Sequence, residues 1–263
     1  MPQLFTVLKL RSNMERWQNR VAVITGASTG IGAAIAKDFV NAGLQVVGLA
    51  RRKELIEEIR NALPAEKRSR LTAMYCDVTS KESVNEVFDT IISQFGGIDV
   101  LVNNAGCAKE GQLSSMDIDV MEAILHTNVM GIVACTQKAF KSMKDRNFDG
   151  HIINVNSIAG HKVLTGPPHK VPITNVYSPS KYAVSAMTEI YRNEFRELGT
   201  KIKISSISPG FVDTNIVFDE IRSVIGQCML KPEDVSNAVM YMLATPPHVQ
   251  VHEMIIKPVG ELV

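Results

Sequence analysis

Short apolar runs and longer amphipathic stretches alternate along this chain. VAVIT (21–25), LQVVGLA (44–50), LTAMYC (71–76), VLVNN (100–104), HIINVN (151–156), IKISSIS (202–208) and EMIIK (253–257) have strand length. Such continuous apolar runs predict strands covered on both faces, as parallel sheets are. Between them, helical spacing covers 30–42, 53–62, 80–95, 117–146, 178–198 and 232–244. Thr79 or Ser80 supplies a cap for the third of these helices, with Glu82 as a first-turn acid, and Gly199 closes the fifth. Repeated strand–helix alternation implies βαβ units with right-handed crossovers. The predicted fold is therefore α/β: a single doubly wound Rossmann-type domain with a seven-stranded parallel sheet flanked by helices. Two stretches, 157–176 and roughly 210–231, are expected to be irregular. Ligands bind open parallel sheets beyond the carboxyl ends of the strands, where both stretches should fall.

The packed domain is expected to span 14–263, opening at MERWQNRVAVITG, with 1–13 an N-terminal extension, an alternative start or an arm. Hydrophobic residues make up 45% and charged residues 21% of the 263, ordinary for a soluble globular protein. A formal charge of +1 gives no electrostatic reason to expect nucleic acid or an acidic membrane as partner. No apolar run approaches the ~20 residues of a membrane span, so no transmembrane segment is expected. Cys76, Cys107, Cys135 and Cys228 are widely spaced, which fits a reduced, cytoplasmic compartment. Neither they nor the six histidines form a ligand pattern, and no metal site is predicted.

Candidate chemistry begins at the first strand–helix turn, TGASTGIGAAIA, with glycines at Gly26, Gly30 and Gly32 around Ser28, Thr29 and Ile31. Glycines there permit a tight turn and close approach of backbone to a pyrophosphate, which then rests on the helix N-terminus. The second strand ends in LARRKE, offering Arg51 and Arg52 where many dinucleotide folds place an acid for the ribose hydroxyls. Guanidinium groups pair with a 2′-phosphate that an acid would repel, so NADP is favoured over NAD. In YSPSKY (177–182), Tyr177 and Lys181 lie about one helical turn apart at a predicted helix entrance, with Pro179 tolerated in the first turn.

TGASTGIG, NNAG (103–106), the Asn of HTNV (126–129), the serine of INVNS and YSPSK occur in an order that resembles the short-chain dehydrogenase/reductase family over nearly all of 20–260. MERWQNR, GHIINVNSIAGH and KPEDVSNAV look like the branch of that family holding insect farnesol dehydrogenases and a related vertebrate reductase. The resemblance implies a catalytic group of Asn128, Ser157, Tyr177 and Lys181. A free tyrosine titrates near ~10, too high for a base at neutral pH, so Lys181 is expected to lower its pKa while holding the nicotinamide ribose. Ser157 would orient the substrate oxygen, and Asn128 would hold a water linking Lys181 to solvent. The resemblance also implies that Asp77 and Val78 meet the adenine and that Asn104, Ala105 and Gly106 line the adenosine ribose. Pro209, Gly210, Val212 and Thr214 would surround the nicotinamide. Asp99 is expected to be structural, and His161 to be a loop residue rather than a substrate contact.

Ser157 and Tyr177 stand farther apart here than is usual in the family, the extra residues falling in HKVLTGPPHKVPITNV. A surface loop absorbs such an insertion at small entropic cost. Ile216, Val217, Phe218, Ile221, Val224 and Ile225 predict an apolar wall over the nicotinamide, in a segment whose only Lys or Arg is Arg222. The expected activity is NADP-dependent interconversion of a hydrophobic alcohol and its carbonyl, with a farnesol-like isoprenoid alcohol favoured. A steroid or retinoid substrate is the alternative; a non-catalytic dinucleotide-binding protein is disfavoured because the whole proton-transfer group is present. The resemblance further implies a homodimer or homotetramer built on the helices at 117–146 and 178–198. Ala183, Ala186, Met187 and Ile190 would serve that contact or else pack on the chain's own sheet.

Overall fold

The computed structural model describes residues 14–164, 174–226 and 228–261. The elements in chain order are β1 (Val21–Thr25), α1 (Gly30–Asn41), β2 (Gln45–Ala50), α2 (Lys53–Ala62), β3 (Leu71–Tyr75), α3 (Lys81–Phe95) and β4 (Val100–Asn103). They continue as α4 (Ile118–Leu125), α5 (Gly131–Asp145), β5 (His151–Val155), α6 (Tyr177–Glu197), β6 (Lys203–Pro209), α7 (Asp219–Ile225), α8 (Pro232–Leu243) and β7 (Glu253–Ile256). The seven strands form one sheet in the order β3-β2-β1-β4-β5-β6-β7, every pairing parallel. The order reverses between β1 and β4, which opens a crevice at their carboxyl ends.

Both faces of the sheet are covered, which explains the unbroken apolar runs. Ala22, Ile24, Val100, Val102, Ile153 and Ile207 point to one face, with Ile35 and Phe39 of α1 and Val235 and Val239 of α8. Val21, Val23, Leu101, Ile152 and Ile204 point to the other, with Phe88 and Ile91 of α3, Cys135 and Ala139 of α5 and Phe195 of α6. Each valine, leucine, isoleucine or phenylalanine among them, fully removed from water, is worth about 1.5–3 kcal/mol. Near the start of the described residues Trp17 is buried, and its Nε1 donates to Leu243 O at 2.9 Å. Asp99 is structural, accepting from Val21 N and from Arg146 Nη1, both at 2.9 Å.

Local details depart from the sequence expectation in ways that bear on the site. The helix expected over 117–146 is two helices joined by a π turn, His126–Met130. By length and composition this stretch is apolar enough to cross a bilayer, but its residues Met121, Ile124, Ile132 and Cys135 are buried, Cys135 in the core beneath the sheet. Ser80, not Thr79, caps α3 by accepting from Ser83 N at 3.1 Å. Tyr177 is the first residue of α6 rather than a loop residue before it. The stretches expected to be irregular contain the 3₁₀ turn Ile158–Gly160 and the short helix α7.

Candidate active site

A cleft of about 650 Å³ opens beyond the carboxyl ends of the strands and collects nearly all the candidate residues. At its floor, Gly26 adopts φ +66°, in the left-handed region that favours glycine. A Cβ on Gly32 would fall 2.4 Å from Gly26 O and 2.5 Å from Asn104 Nδ2, so no larger residue fits without moving the turn. Asn104 reaches across from the end of β4, its Nδ2 donating to Thr25 O at 2.9 Å and Gly26 O at 3.1 Å. Thr25 Oγ1 accepts from the backbone N–H of Asn104 and of Ala105, each at 3.0 Å. Asn104 thus lines the cleft but spends its side-chain donors bracing the glycine turn. Gly26, Ser28, Thr29, Gly30 and Ile31 line the cleft, whereas Gly32 is buried behind them. α1 opens there with no side-chain cap and no acidic residue in its first turn, leaving its backbone N–H groups for an anion.

Arg51 and Arg52 stand exposed on the rim beside that turn. Neither forms an ion pair within the described residues. Asp77 and Val78 follow on the same side with Ala105 and Gly106. Asp77 Oδ1 accepts from Thr79 N at 3.0 Å and Thr79 Oγ1 at 2.7 Å, a local turn that fixes the carboxylate. Val78 packs where a Cβ on Gly131 would come within 3.1 Å of it, which ties this wall to the start of α5.

At the other end lie Ser157, Tyr177 and Lys181, from the turn after β5 and the first turns of α6. Lys181 is buried; its Nζ donates to Val155 O at 3.1 Å and sits 5.8 Å from the centre of the Tyr177 ring. Burial pushes the Lys181 ammonium down to about 8, with Cys107 opposing. The Tyr177 phenol is shifted up, because burial disfavours the phenolate more than the Ser157 hydroxyl stabilises it. The expected lowering by Lys181 is therefore not what the chain alone produces: the cleft desolvates the phenolate, and the ammonium is turned to the Val155 carbonyl.

Asn128 lies outside the cleft lining, fully buried in the π turn. Its Nδ2 donates to Cys107 O and Ser180 Oγ, both at 3.0 Å, and its Oδ1 accepts from Cys107 N at 2.9 Å. Ser180 Oγ in turn donates to Tyr177 O at 2.6 Å. The Asn128 carboxamide thus fastens the loop after β4 to the first turn of α6. Widening the helix by a π turn, a device common at functional sites, turns this residue inward.

Pro209, Gly210, Val212 and Thr214 form the remaining wall after β6, continued by Ile216, Val217 and Phe218. The side chains of Ile221 and Val224 lie outside the described set, and Ile225 is half-buried away from the cleft. Leu164 and Thr174, which flank the extra loop, both reach the cleft; 165–173 lie outside the described residues. His161 is an exposed turn residue that does not line the cleft. Its Nε2 lies 2.7 Å from Glu253 Oε1 and 3.1 Å from Ser208 Oγ, joining the turn after Ser157 to β6 and β7. Sequence reasoning missed Cys107, Asn156, Phe211 and Asn215, all of which line the cleft. All four directly adjoin motif residues singled out in the sequence, the one signal that could have found them.

The family model for short chain dehydrogenases matches residues 20–223. The chain belongs to the short-chain dehydrogenase/reductase family. It is 51% identical over 249 residues to the farnesol dehydrogenase of Aedes aegypti, covering 94% of this chain and 99% of that protein. It is 41% identical over 266 residues to human dehydrogenase/reductase SDR family member 11, covering 96% and 99% respectively. Among solved structures, an alcohol dehydrogenase from Thermococcus sibiricus complexed with 5-hydroxy-NADP superposes with TM-score 0.78 at 26% identity, covering 92% of this chain and 97% of that one. As a short-chain dehydrogenase/reductase the chain is an oxidoreductase whose cofactor is a nicotinamide dinucleotide. The residues present fit that group: a glycine cradle that a Cβ would fill, an uncapped helix N-terminus and a rim of unpaired guanidinium groups.

Proposed function

We propose that this chain is an NADP-dependent alcohol dehydrogenase that oxidises farnesol-like isoprenoid alcohols to aldehydes, reversibly. The observation that carries this reading is one cleft with Tyr177, Ser157 and Lys181 at one end, Arg51 and Arg52 at the other, and Ile216, Val217 and Phe218 along its wall. Arg51 and Arg52 hold the 2′-phosphate as paired forks, and Asp77 and Val78 bound the adenine. Val212 and Thr214 would hold the carboxamide, and Lys181 would hold the nicotinamide ribose. Ser157 orients the alcohol oxygen, and Tyr177 Oη, in its phenolate form, takes the hydroxyl proton as the carbon gives up hydride. When bound, the oxidised nicotinamide would supply the hydride acceptor. Asn128 acts through Cys107 and Ser180, keeping the first turn of α6 in place.

The apolar wall and the likeness to a farnesol dehydrogenase support a long hydrocarbon substrate, which gains about 0.8 kcal/mol per buried methylene. Outward residues on α4, the π turn and α6 support a homo-oligomer, and the free thiols fit a reducing cytoplasmic setting. NADPH formation measured across farnesol, retinol and a hydroxysteroid tests the proposal. The highest kcat/KM is expected for farnesol; a clear preference for the steroid or retinol would replace the substrate and keep the chemistry.

A further inference from the structure

After β6 the chain leaves the sheet and returns as a closed strap. Asp213 N donates to Leu230 O and Leu230 N to Phe211 O, each at 2.8 Å, so Val212 and Leu230 pair at its base. Arg222, in α7 within this strap, turns its guanidinium back onto the strap's own start. Nη1 donates to Asp213 Oδ1 at 2.7 Å, Nη2 to Thr214 O at 2.5 Å and Nε to Val217 O at 3.3 Å. Met229 Sδ lies 4.0 Å from Nη1. A planar guanidinium fork can hold these three oxygen acceptors at once, where a lysine ammonium could not span them.

The acceptors are the reason this matters. Thr214 and Val217 both line the cleft, and a Cβ on Gly30 would meet Thr214 Cγ2 at 3.0 Å. The side chain of Thr214, whose carbonyl Arg222 grips, therefore lies directly against the glycine turn. We infer that Arg222 is a positioning residue, fastening α7 to the Thr214–Val217 backbone so that the nicotinamide half of the dinucleotide meets a preformed wall. The inference rests on the reading of the cleft as a dinucleotide site. It also fixes a specificity: the strap's one cation is spent on the protein's own acceptors, so a phosphorylated or carboxylate substrate finds no partner there.

Isothermal titration of the full chain tests this with two ligands, NADP⁺ and adenosine 2′,5′-bisphosphate, which carries the adenine half alone. NAD⁺ and AMP form a second pair that serves if the chain prefers the unphosphorylated cofactor. Arg222→Ala should lose about tenfold in affinity for the whole dinucleotide, the scale of one charge-assisted hydrogen bond, while the half-ligand changes by less than about twofold. Arg222→Lys, which keeps the charge but not the fork, should recover only part of the loss. Unchanged dinucleotide affinity in Arg222→Ala overturns the inference, and so does a parallel loss of both ligands in both variants, which marks a general lesion. A wild-type chain that binds neither dinucleotide would instead reject the reading of the cleft, and the inference would fall with it.

Discussion

Tyr177, Ser157 and Lys181 meet because β5 ends where α6 begins, and the chemistry at this scale can be tested side chain by side chain. Tyr177→Phe keeps the ring packing and removes the proton carrier. Turnover is expected to fall by about 10²–10⁴-fold, the usual contribution of a positioned acid or base, with dinucleotide affinity preserved in a direct titration. Near wild-type turnover would reject the assignment. Arg51→Ala with Arg52→Ala should weaken NADP⁺ binding by roughly 1.5–3 kcal/mol per lost charged hydrogen bond, and NAD⁺ binding much less. Equal losses for the two would show that the pair does not read the 2′-phosphate. Most of this site was legible in the sequence, since glycines, a paired arginine and YSPSK carry their chemistry in residue type and spacing. Direction and burial were not. Nothing in the order of residues says that Asn104 and Asn128 spend their amides on backbone, or that desolvation at Tyr177 outweighs its neighbours.

The strands were legible at the scale of elements because a two-sided parallel sheet leaves continuous apolar runs, and the helices because their inner faces repeat at helical spacing. The π turn at His126–Met130 was not, since it widens a helix without breaking its apolar period. Neither was α7, a short helix secured by side-chain contacts rather than by pattern. The small and apolar residues of α6 are not all packed on the chain's own sheet. Val184, Thr188 and Phe195 turn inward, whereas Ala186 and Ile190 are exposed and Ala183 and Met187 only half-buried. Ile118, Met130 and Tyr182 are exposed as well, on the neighbouring outward surfaces. A charge on this face, as in Ala186→Glu with Ile190→Glu, should convert a homo-oligomer to monomer by light scattering without unfolding the chain. A wild-type monomer at micromolar concentration would remove the basis for the assembly.

The molecule as a whole carries a pH dependence set by groups buried without a compensating charge. His151 is fully buried at the start of β5, its Nε2 2.9 Å from Ser205 Oγ. Burial, with Lys203 and Arg16 adding to it, pushes its pKa from 6.5 down to about 3. Between those values the unfolded chain takes up a proton that the native chain refuses, so stability falls as pH drops through that window. The slope for one such group is at most about 1.4 kcal/mol per pH unit. Melting temperatures measured across that range should decline less steeply for His151→Gln, which keeps a polar group toward Ser205; an unchanged slope would place the acid sensitivity elsewhere. Lys181, lowered to about 8, works at the other end: its burial is disfavoured at neutral pH and eased as pH rises from there toward 10.5.

Function at this scale depends on the cleft's combination of a proton-transfer end, a dinucleotide cradle and an apolar wall. Its most direct test is a homologous series of isoprenoid alcohols, prenol, geraniol and farnesol, oxidised with NADP⁺ under one set of conditions. Each added isoprene unit extends the hydrocarbon buried against Ile216, Val217 and Phe218, so kcat/KM should rise stepwise with chain length. A series that is flat or falls toward farnesol would contradict the account.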